Sequence, residues 1–452
     1  MKNAMNETLT NRRDFLRASV LAAASGMSVG CATASESNGP AASGNTPAAV
    51  PANLIASAPM LQNAAETSVC VVFEVTADAS GWVEVSTSPD MSGAVRSYSG
   101  GTGLMTVDDK IACVRVTGLS PATRYWYRIG ADRILYKHGY SMKNLGSEVD
   151  AKVRSFTTLG AAAEGAFAVI NDTHDQKKTL DRVFAKLAEI KPATVLWNGD
   201  ATNVTETRDH AVRIFLHAHK NHPEYASETP YLFVNGNHDL RGRFAREMDK
   251  LLMFRDPAER SGIYHDLGRN FVQRLGDIAL IGLDTGEDKL DTNPLFANIF
   301  QMQAYREKQT RWLAEAIESP AVKTAKFKVA FCHIPLFDTR PDANPGDVFP
   351  ADASPVYGKD YAVWQRTCAN LWGPLFARAG VQLVVTAHQH CFRYDAPTAD
   401  RPWAQIVGGG CELEGSASRF PTVIEGRVSG GRLVVTVHDL RHGTVAGEYA
   451  FS

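Results

Sequence analysis

The stretch Tyr231-Leu232-Phe233-Val234-Asn235-Gly236-Asn237-His238-Asp239 decides the fold. Four apolar residues lead directly into a turn that carries an amide, an imidazole and a carboxylate. Strands buried on both faces of a parallel sheet read as short continuous apolar runs, and open α/β sheets gather their chemistry at the carboxyl ends of such strands. The arrangement recurs on either side. Residues 166–170 precede Asp172-Thr173-His174, and residues 194–197 precede Gly199-Asp200. Further on, residues 327–331 precede His333, and residues 381–386 precede His388-Gln389-His390. Alone, each cluster is weak: D-x-H arises by chance, Gly-Asn makes turns, and a lone histidine after a strand is often a core residue. Five in order, each ending a strand, imply a site. Carboxylate and amide oxygens mixed with imidazoles suit a pair of divalent or trivalent first-row cations.

The rest of the composition sets limits. The chain has 452 residues, 44% of them hydrophobic, which is enough for two sizeable cores. Lys plus Arg is 47 and Asp plus Glu is 49, so the net charge of −2 offers no basic surface for bulk nucleic-acid binding. Seven cysteines without a C-x-x-C pair make neither a disulfide scaffold nor a zinc ribbon.

The N-terminus reads as an address. Asn11-Arg12-Arg13-Asp14-Phe15-Leu16-Arg17 precedes a mildly apolar Ala/Ser/Gly stretch, residues 18–30. Paired arginines before Phe-Leu resemble the bacterial twin-arginine signal, which implies an exported, periplasmic or membrane-anchored protein. Residues 1–34 are read as the signal and 35–51 as an Ala/Ser/Gly/Pro linker. Two processing routes stay open: cleavage after Ala32-Thr33-Ala34, or a lipobox-like Val29-Gly30-Cys31 with Cys31 carrying lipid, although Ser28 stands where that box usually has Leu. Without residues 1–34 the balance is 43 basic against 47 acidic, or −4.

Between Ser68 and Thr158 the pattern changes to short alternating strands. Val69, Val71, Phe73 and Val75 alternate with Cys70, Val72 and Glu74; Trp82, Val83 and Val85 follow. The run Val114-Arg115-Val116-Thr117-Gly118-Leu119-Ser120-Pro121-Ala122-Thr123-Arg124-Tyr125 ends this region's signature. These features predict an all-β antiparallel sandwich over residues 52–158. The V-x-V-x-G-L-x-P-x-T-x-Y run resembles the fibronectin type III family, which implies that Tyr125 is a corner tyrosine bonded to upstream backbone. Cys70 and Cys113 fall at outward positions of the alternation, on neighbouring strands, and are read as two thiols rather than a disulfide.

The five clusters together resemble the calcineurin-like metallophosphoesterase superfamily, whose pattern D-x-H, G-D, G-N-H-D/E, H and G-H-x-H is matched over residues 165–395. An N-terminal β-domain before it is similar to the purple acid phosphatase arrangement. The fold expected is therefore an all-β fibronectin type III-like sandwich followed, over residues 165–452, by an α/β metallophosphoesterase domain of two mixed β-sheets flanked by helices. The resemblance implies two metal ions per subunit, iron, manganese or zinc. Asp172, His174 and His390 would bind the first, Asn237, His333 and His388 the second, and Asp200 would bridge them. A hydroxide held between the metals would attack the phosphorus of a small phosphate ester. His238 would be the general acid, with Asp239 holding its imidazole and raising its pKa. The function so implied is hydrolysis of phosphomonoesters, with a phosphodiesterase as the close rival. A surface binding protein with an inert second domain is the reading from another class.

The sequence departs from the pattern twice. Ala387 replaces the glycine of the last motif, and Asn203 stands where purple acid phosphatases have a tyrosine ligand. His210, His217, His219 and His222 crowd one segment and are read as surface residues, not a third metal site. Cys332 and Cys391 alternate with site residues and should face away from the metals. Gly408-Gly409-Gly410 should let backbone approach the site. Residues 337–359 read as a substrate-facing loop, and strands around 422–427 and 433–437 complete a sheet.

Overall fold

The computed structural model describes residues 53–101, 103–252, 267–337, 355–415 and 418–452. The signal, linker and Cys31 readings, and most of the loop expected over 337–359, lie outside them.

The decisive stretch does form a strand, Tyr231–Val234 (β13), buried throughout. It pairs in parallel with Thr194–Asn198 (β12), which pairs in parallel with Phe167–Ile170 (β11). All three are buried on both faces, which explains their unbroken apolar character. Thr422–Ser429 (β20), Arg432–Asp439 (β21) and Thr444–Phe451 (β22) extend the sheet antiparallel beyond β11. On its other side β13 takes up Met60–Gln62 (β1), then Ser68–Glu74 (β2) and Ile111–Thr117 (β7), giving nine strands in one sheet.

A second sheet runs β14 (Phe271–Leu275), β15 (Ile278–Leu283), β16 (Phe327–Cys332), β17 (Leu383–Thr386), β19 (Ala404–Val407) and β18 (Arg393–Asp395). Its parallel core is β15-β16-β17-β19. Helices cover the outer faces: α1 (Lys177–Ile190) and α2 (Arg208–Phe215) pack on the nine-stranded sheet, through Leu180, Val183, Phe184, Ile214 and Phe215. On the six-stranded sheet lie α3 (Met302–Ala316), α4 (Pro320–Lys323) and the long α5 (Pro355–Ala379). These are mixed α/β sheets with helices outside, as expected. No helix among the described residues is long and apolar enough to cross a membrane.

The region expected as a sandwich is all strand, but its organisation differs from the expectation. A separate five-stranded sheet contains β3 (Ala79–Ser86), β4 (Val95–Tyr98), β8 (Arg124–His138), β9 (Ser141–Val149) and β10 (Arg154–Thr157). It packs on β2 and β7, which belong to the nine-stranded sheet, and one apolar cluster runs from Val83 and Ile129 through Val69 and Val114 to Phe167 and Phe331. Tyr125 is buried and its hydroxyl accepts from Ser120 N–H at 2.9 Å. The outward positions of β2 are not exposed: Cys70 and Val72 are fully buried, and Val72 packs in the cluster under α1 and α2. Cys70 lies opposite Arg115 and Cys113 opposite Val72, so the two cysteines are not cross-strand partners, and the Cys113 thiol donates to Lys250 O at 3.2 Å.

Candidate metal centre

Each candidate ligand sits on the short loop that ends its strand, and the loops are laced together by backbone. Asp172 N donates to Gly199 O, His174 N to Asp200 O, and Ala387 N to His333 O, at 2.7–3.1 Å. The turns are tight enough to push side-chain-bearing residues into the left-handed region: Asp172, His174, Asp200, His388 and His390 all have φ between 44° and 68°. Such conformations cost on the order of 1–3 kcal/mol each and persist where the surroundings over-determine them. Two glycines make the approach possible. A Cβ on Gly199, itself at φ +83°, would lie 2.3 Å from His333 Nδ1, and one on Gly236 would lie 2.1 Å from Asp200 Oδ1.

All seven candidate ligands converge. His174 Nε2 and His390 Nε2 are 3.0 Å apart, with Asp172 Oδ1 at 3.5 Å from the latter. Asn237 Oδ1 and His388 Nδ1 are 3.0 Å apart. Between the groups, Asp200 Oδ2 lies 3.2 Å from His333 Nε2 and 3.8 Å from His174 Nε2, while its Oδ1 accepts from His238 N–H. Asp172, His174 and His390 offer one cluster of ligand atoms and Asp200, His333 and His388 another, each within 4.8 Å.

The donor set fits cations. Asp172 Oδ1 and His333 Nε2 are buried without a hydrogen bond, a costly arrangement unless a ligand takes up those lone pairs. His333 Nδ1–H donates to Asn198 O at 2.9 Å, which fixes the tautomer and aims the Nε2 lone pair inward. His390 is held likewise, its Nδ1 2.9 Å from Glu412 Oε1. The field is strongly negative. Burial opposes a charged His333, yet Asp200 and Asp172 push its pKa up to about 10. Burial opposes a charged His390 too, but Asp172 and Glu412 push it up to about 9. A field that would otherwise hold protons on these imidazoles favours a metal cation in their place.

The acid–base pair departs from expectation. Asp239 does not touch the His238 ring: Oδ2 accepts from Gly236 N–H at 2.9 Å and Oδ1 from Thr202 N–H at 3.1 Å. Two residues adjacent in a 3₁₀ turn point different ways, and this carboxylate serves the backbone of the metal loops. Burial and the charge of Asp200 push its pKa up to about 7. His238 Nδ1 instead lies 2.9 Å from Asn203 O, and Arg241 Nη1 is 3.2 Å from its Nε2. Its pKa is lowered, not raised, by burial, which together with Arg241 outweighs Asp200.

Several residues near the centre carry no motif. Asn171 Nδ2 donates to Asp172 Oδ2 and Gly409 O, which gives the glycine run its contact with the site. Arg241 is held by both oxygens of buried Glu287 at 3.1 Å. Tyr361, from α5, stacks on His388 with ring centroids 5.6 Å apart. Only Glu412 had a signal, its place just after the glycines. Cys332 faces the helices over the six-stranded sheet, as its alternation with His333 required.

Comparison with known proteins agrees with this geometry. The family model described as calcineurin-like phosphoesterase matches residues 165–392, half of the chain. No curated protein sequence matches. Among solved structures, the purple acid phosphatase PPD1 from yellow lupin (Lupinus luteus) seeds superposes with a TM-score of 0.59 at 13% identity, over 87% of this chain and 74% of that one. The structure of PhoD superposes with a TM-score of 0.55 at 11% identity, over 87% of this chain and 92% of that one. At these identities the likeness is one of fold.

Proposed function

The chain belongs to the calcineurin-like phosphoesterase family and is a hydrolase of phosphoric ester bonds; on that premise we propose that it is an exported, two-metal phosphomonoesterase. The observation that carries this reading is the position of Asp200, whose Oδ2 lies between the two ligand clusters. Asp172, His174 and His390 would hold one ion, Asn237, His333 and His388 the other, with Asp200 shared. When bound, such a pair supplies charge to phosphoryl oxygens and acidifies water.

The chain's own residues do the rest. The Asn203 carbonyl accepts from His238 Nδ1–H, so a second proton taken up at Nε2 is the one the ring can hand to the leaving oxygen. The nearby Arg241 Nη1 can hold an anionic oxygen of the same ester, and Glu287 keeps that guanidinium from swinging away. Asn203 has no phenolate, so a loaded enzyme should lack the visible tyrosinate band that gives purple acid phosphatases their colour. The motif around Arg12 and Arg13 supports twin-arginine export. Replacing both by Lys should strand precursor in the cytoplasm, and Cys31→Ser should release the protein from membranes if Cys31 is lipidated. The buried corner hydroxyl of Tyr125 supports the fibronectin type III-like reading of the N-terminal strands.

His238→Ala tests the mechanism. It should retain both metals and lose about 10²–10⁴ in kcat on alkyl phosphates, but much less on nitrophenyl phosphate, whose leaving group needs little protonation. Equal losses on both would refute the role. A parallel bis(nitrophenyl) phosphate assay separates monoesterase from diesterase activity.

A further inference from the structure

The histidine-rich segment after α2 does not behave as surface decoration. His219 is 8% exposed and turns back towards α1, where Asp181 projects from the helix's second turn. His219 Nδ1 lies 3.4 Å from Asp181 Oδ1, and His222 Nε2 lies 3.2 Å from the same oxygen. The three ligand atoms fall within 4.8 Å of one another. None of them belongs to the strand-end loops that hold the catalytic candidates. We propose that Asp181, His219 and His222 form a third cation site, for a divalent transition metal of the zinc class, separate from the catalytic centre.

The distances carry the argument. Zinc bonded to nitrogen and oxygen at about 2.0–2.2 Å in a tetrahedron sets ligand atoms roughly 3.3–3.5 Å apart. Both Asp181–His edges already have nearly that length, although the residues come from separate segments some forty positions apart. Two imidazoles and a carboxylate are a donor set that borderline-soft zinc accepts and that calcium and magnesium disfavour. The segment is also positioned by other contacts. Lys177 Nζ donates to Ala218 O at 2.8 Å, and His222 N–H to His219 O at 3.1 Å, closing a turn that brings both rings to one side. Asn221 donates its side chain to Asp181 Oδ1 and its backbone N–H to His219 Nδ1. Metal binding would exchange these two hydrogen bonds for coordination. Asp181 is 44% exposed, so the fourth position opens to water. The effect would be mechanical: the ion would fasten α1, which begins three residues after His174, to the segment after α2.

The test is a metal count on the folded, metal-loaded protein, dialysed against buffered free zinc and analysed by elemental mass spectrometry. Wild type should carry one equivalent more than Asp181→Asn and than His222→Gln, while turnover of a phosphate ester stays unchanged. Zinc should also raise the melting temperature of wild type more than that of either variant. Asp181→Asn is isosteric on a side chain that is 44% exposed, so it keeps the test valid if the histidine variant folds poorly. Equal zinc counts in wild type and Asp181→Asn would overturn the proposal. The result is independent of the catalytic reading, because it compares counts between proteins with the same strand-end ligands.

Discussion

Replacing Gly236 by Ala adds one methyl group at the tightest point of the centre. Its Cβ would lie 2.1 Å from Asp200 Oδ1 and 2.4 Å from Asp200 N. A carbon and an oxygen in contact need roughly 3.3 Å or more, so the two loops must separate by about 1 Å. Asp200 cannot swing aside cheaply, because Oδ1 accepts from His238 N–H and the residue is already at φ 49°. Gly236 itself has no positive φ, so the clash is the whole effect. Overpacking of this kind costs about 1–3 kcal/mol in stability. The functional loss should be larger: metal-site distances hold to about 0.2 Å, and a 1 Å misplacement costs on the order of 10² in rate. The assays are urea unfolding, chelator competition for metal, and initial rates on nitrophenyl phosphate across a metal titration. Gly139→Ala, whose Cβ meets nothing within 4 Å, serves as the control. A Gly236→Ala enzyme with wild-type metal affinity and rate would refute the placement of Asp200 against the Asn237 loop.

Asp239→Asn should cost about 1–3 kcal/mol, because one of the two amides it serves is left facing an NH₂ group. Any loss of rate should be the same for alkyl and nitrophenyl esters; a leaving-group-dependent loss would return Asp239 to the proton-transfer machinery. Glu412→Gln should weaken metal binding 10–100-fold by loosening His390, as read by chelator competition, and unchanged affinity would exclude that support. Glu224 pairs with buried Arg154, which lowers its pKa from 4.5 to about 2. A depressed carboxylate stabilises the fold above pH 4.5, and the benefit fades as pH falls through about 2. Because the carboxylate is 36% exposed, screening leaves about 1–2 kcal/mol of that linkage, which Glu224→Gln should remove at pH 7 but not near pH 2. Urea unfolding across that range would show the two curves converge; a constant gap would contradict the linkage.

The strand-end cluster of candidate ligands was legible because its physics is local: four to six apolar residues make a buried strand, and the turn after it presents its side chains. What these side chains lean on was not legible. Glu412 reaches His390 across 22 residues, and Arg241 meets Glu287 across 46, through folding that no spacing encodes. Asp239 shows that adjacency in sequence is not contact in space, since its oxygens face Gly236 N–H and Thr202 N–H. Cys70 differs for another reason. Alternation implies an inside and an outside, but β2 is buried on both faces because elements of the phosphoesterase region cover its outer side. The link that causes this, β1, is three residues long with one parallel register pair, Gln62 with Tyr231, too little pattern to detect.

That short strand has a consequence for how the chain can be divided. Without residues before 165, Tyr231–Val234 would become the unpaired rim of a sheet, with fully buried apolar side chains and open backbone groups. Rims of this kind recruit other strands and drive aggregation. Residues 60–62 and the strands behind them act as a seal, so the β-rich N-terminal region is not a module that recombination or a protease could remove at little cost. A fragment beginning at 165 should be insoluble even with every candidate metal ligand intact, whereas nicking in the hairpin around Tyr140, which is fully exposed, should leave a soluble, active enzyme.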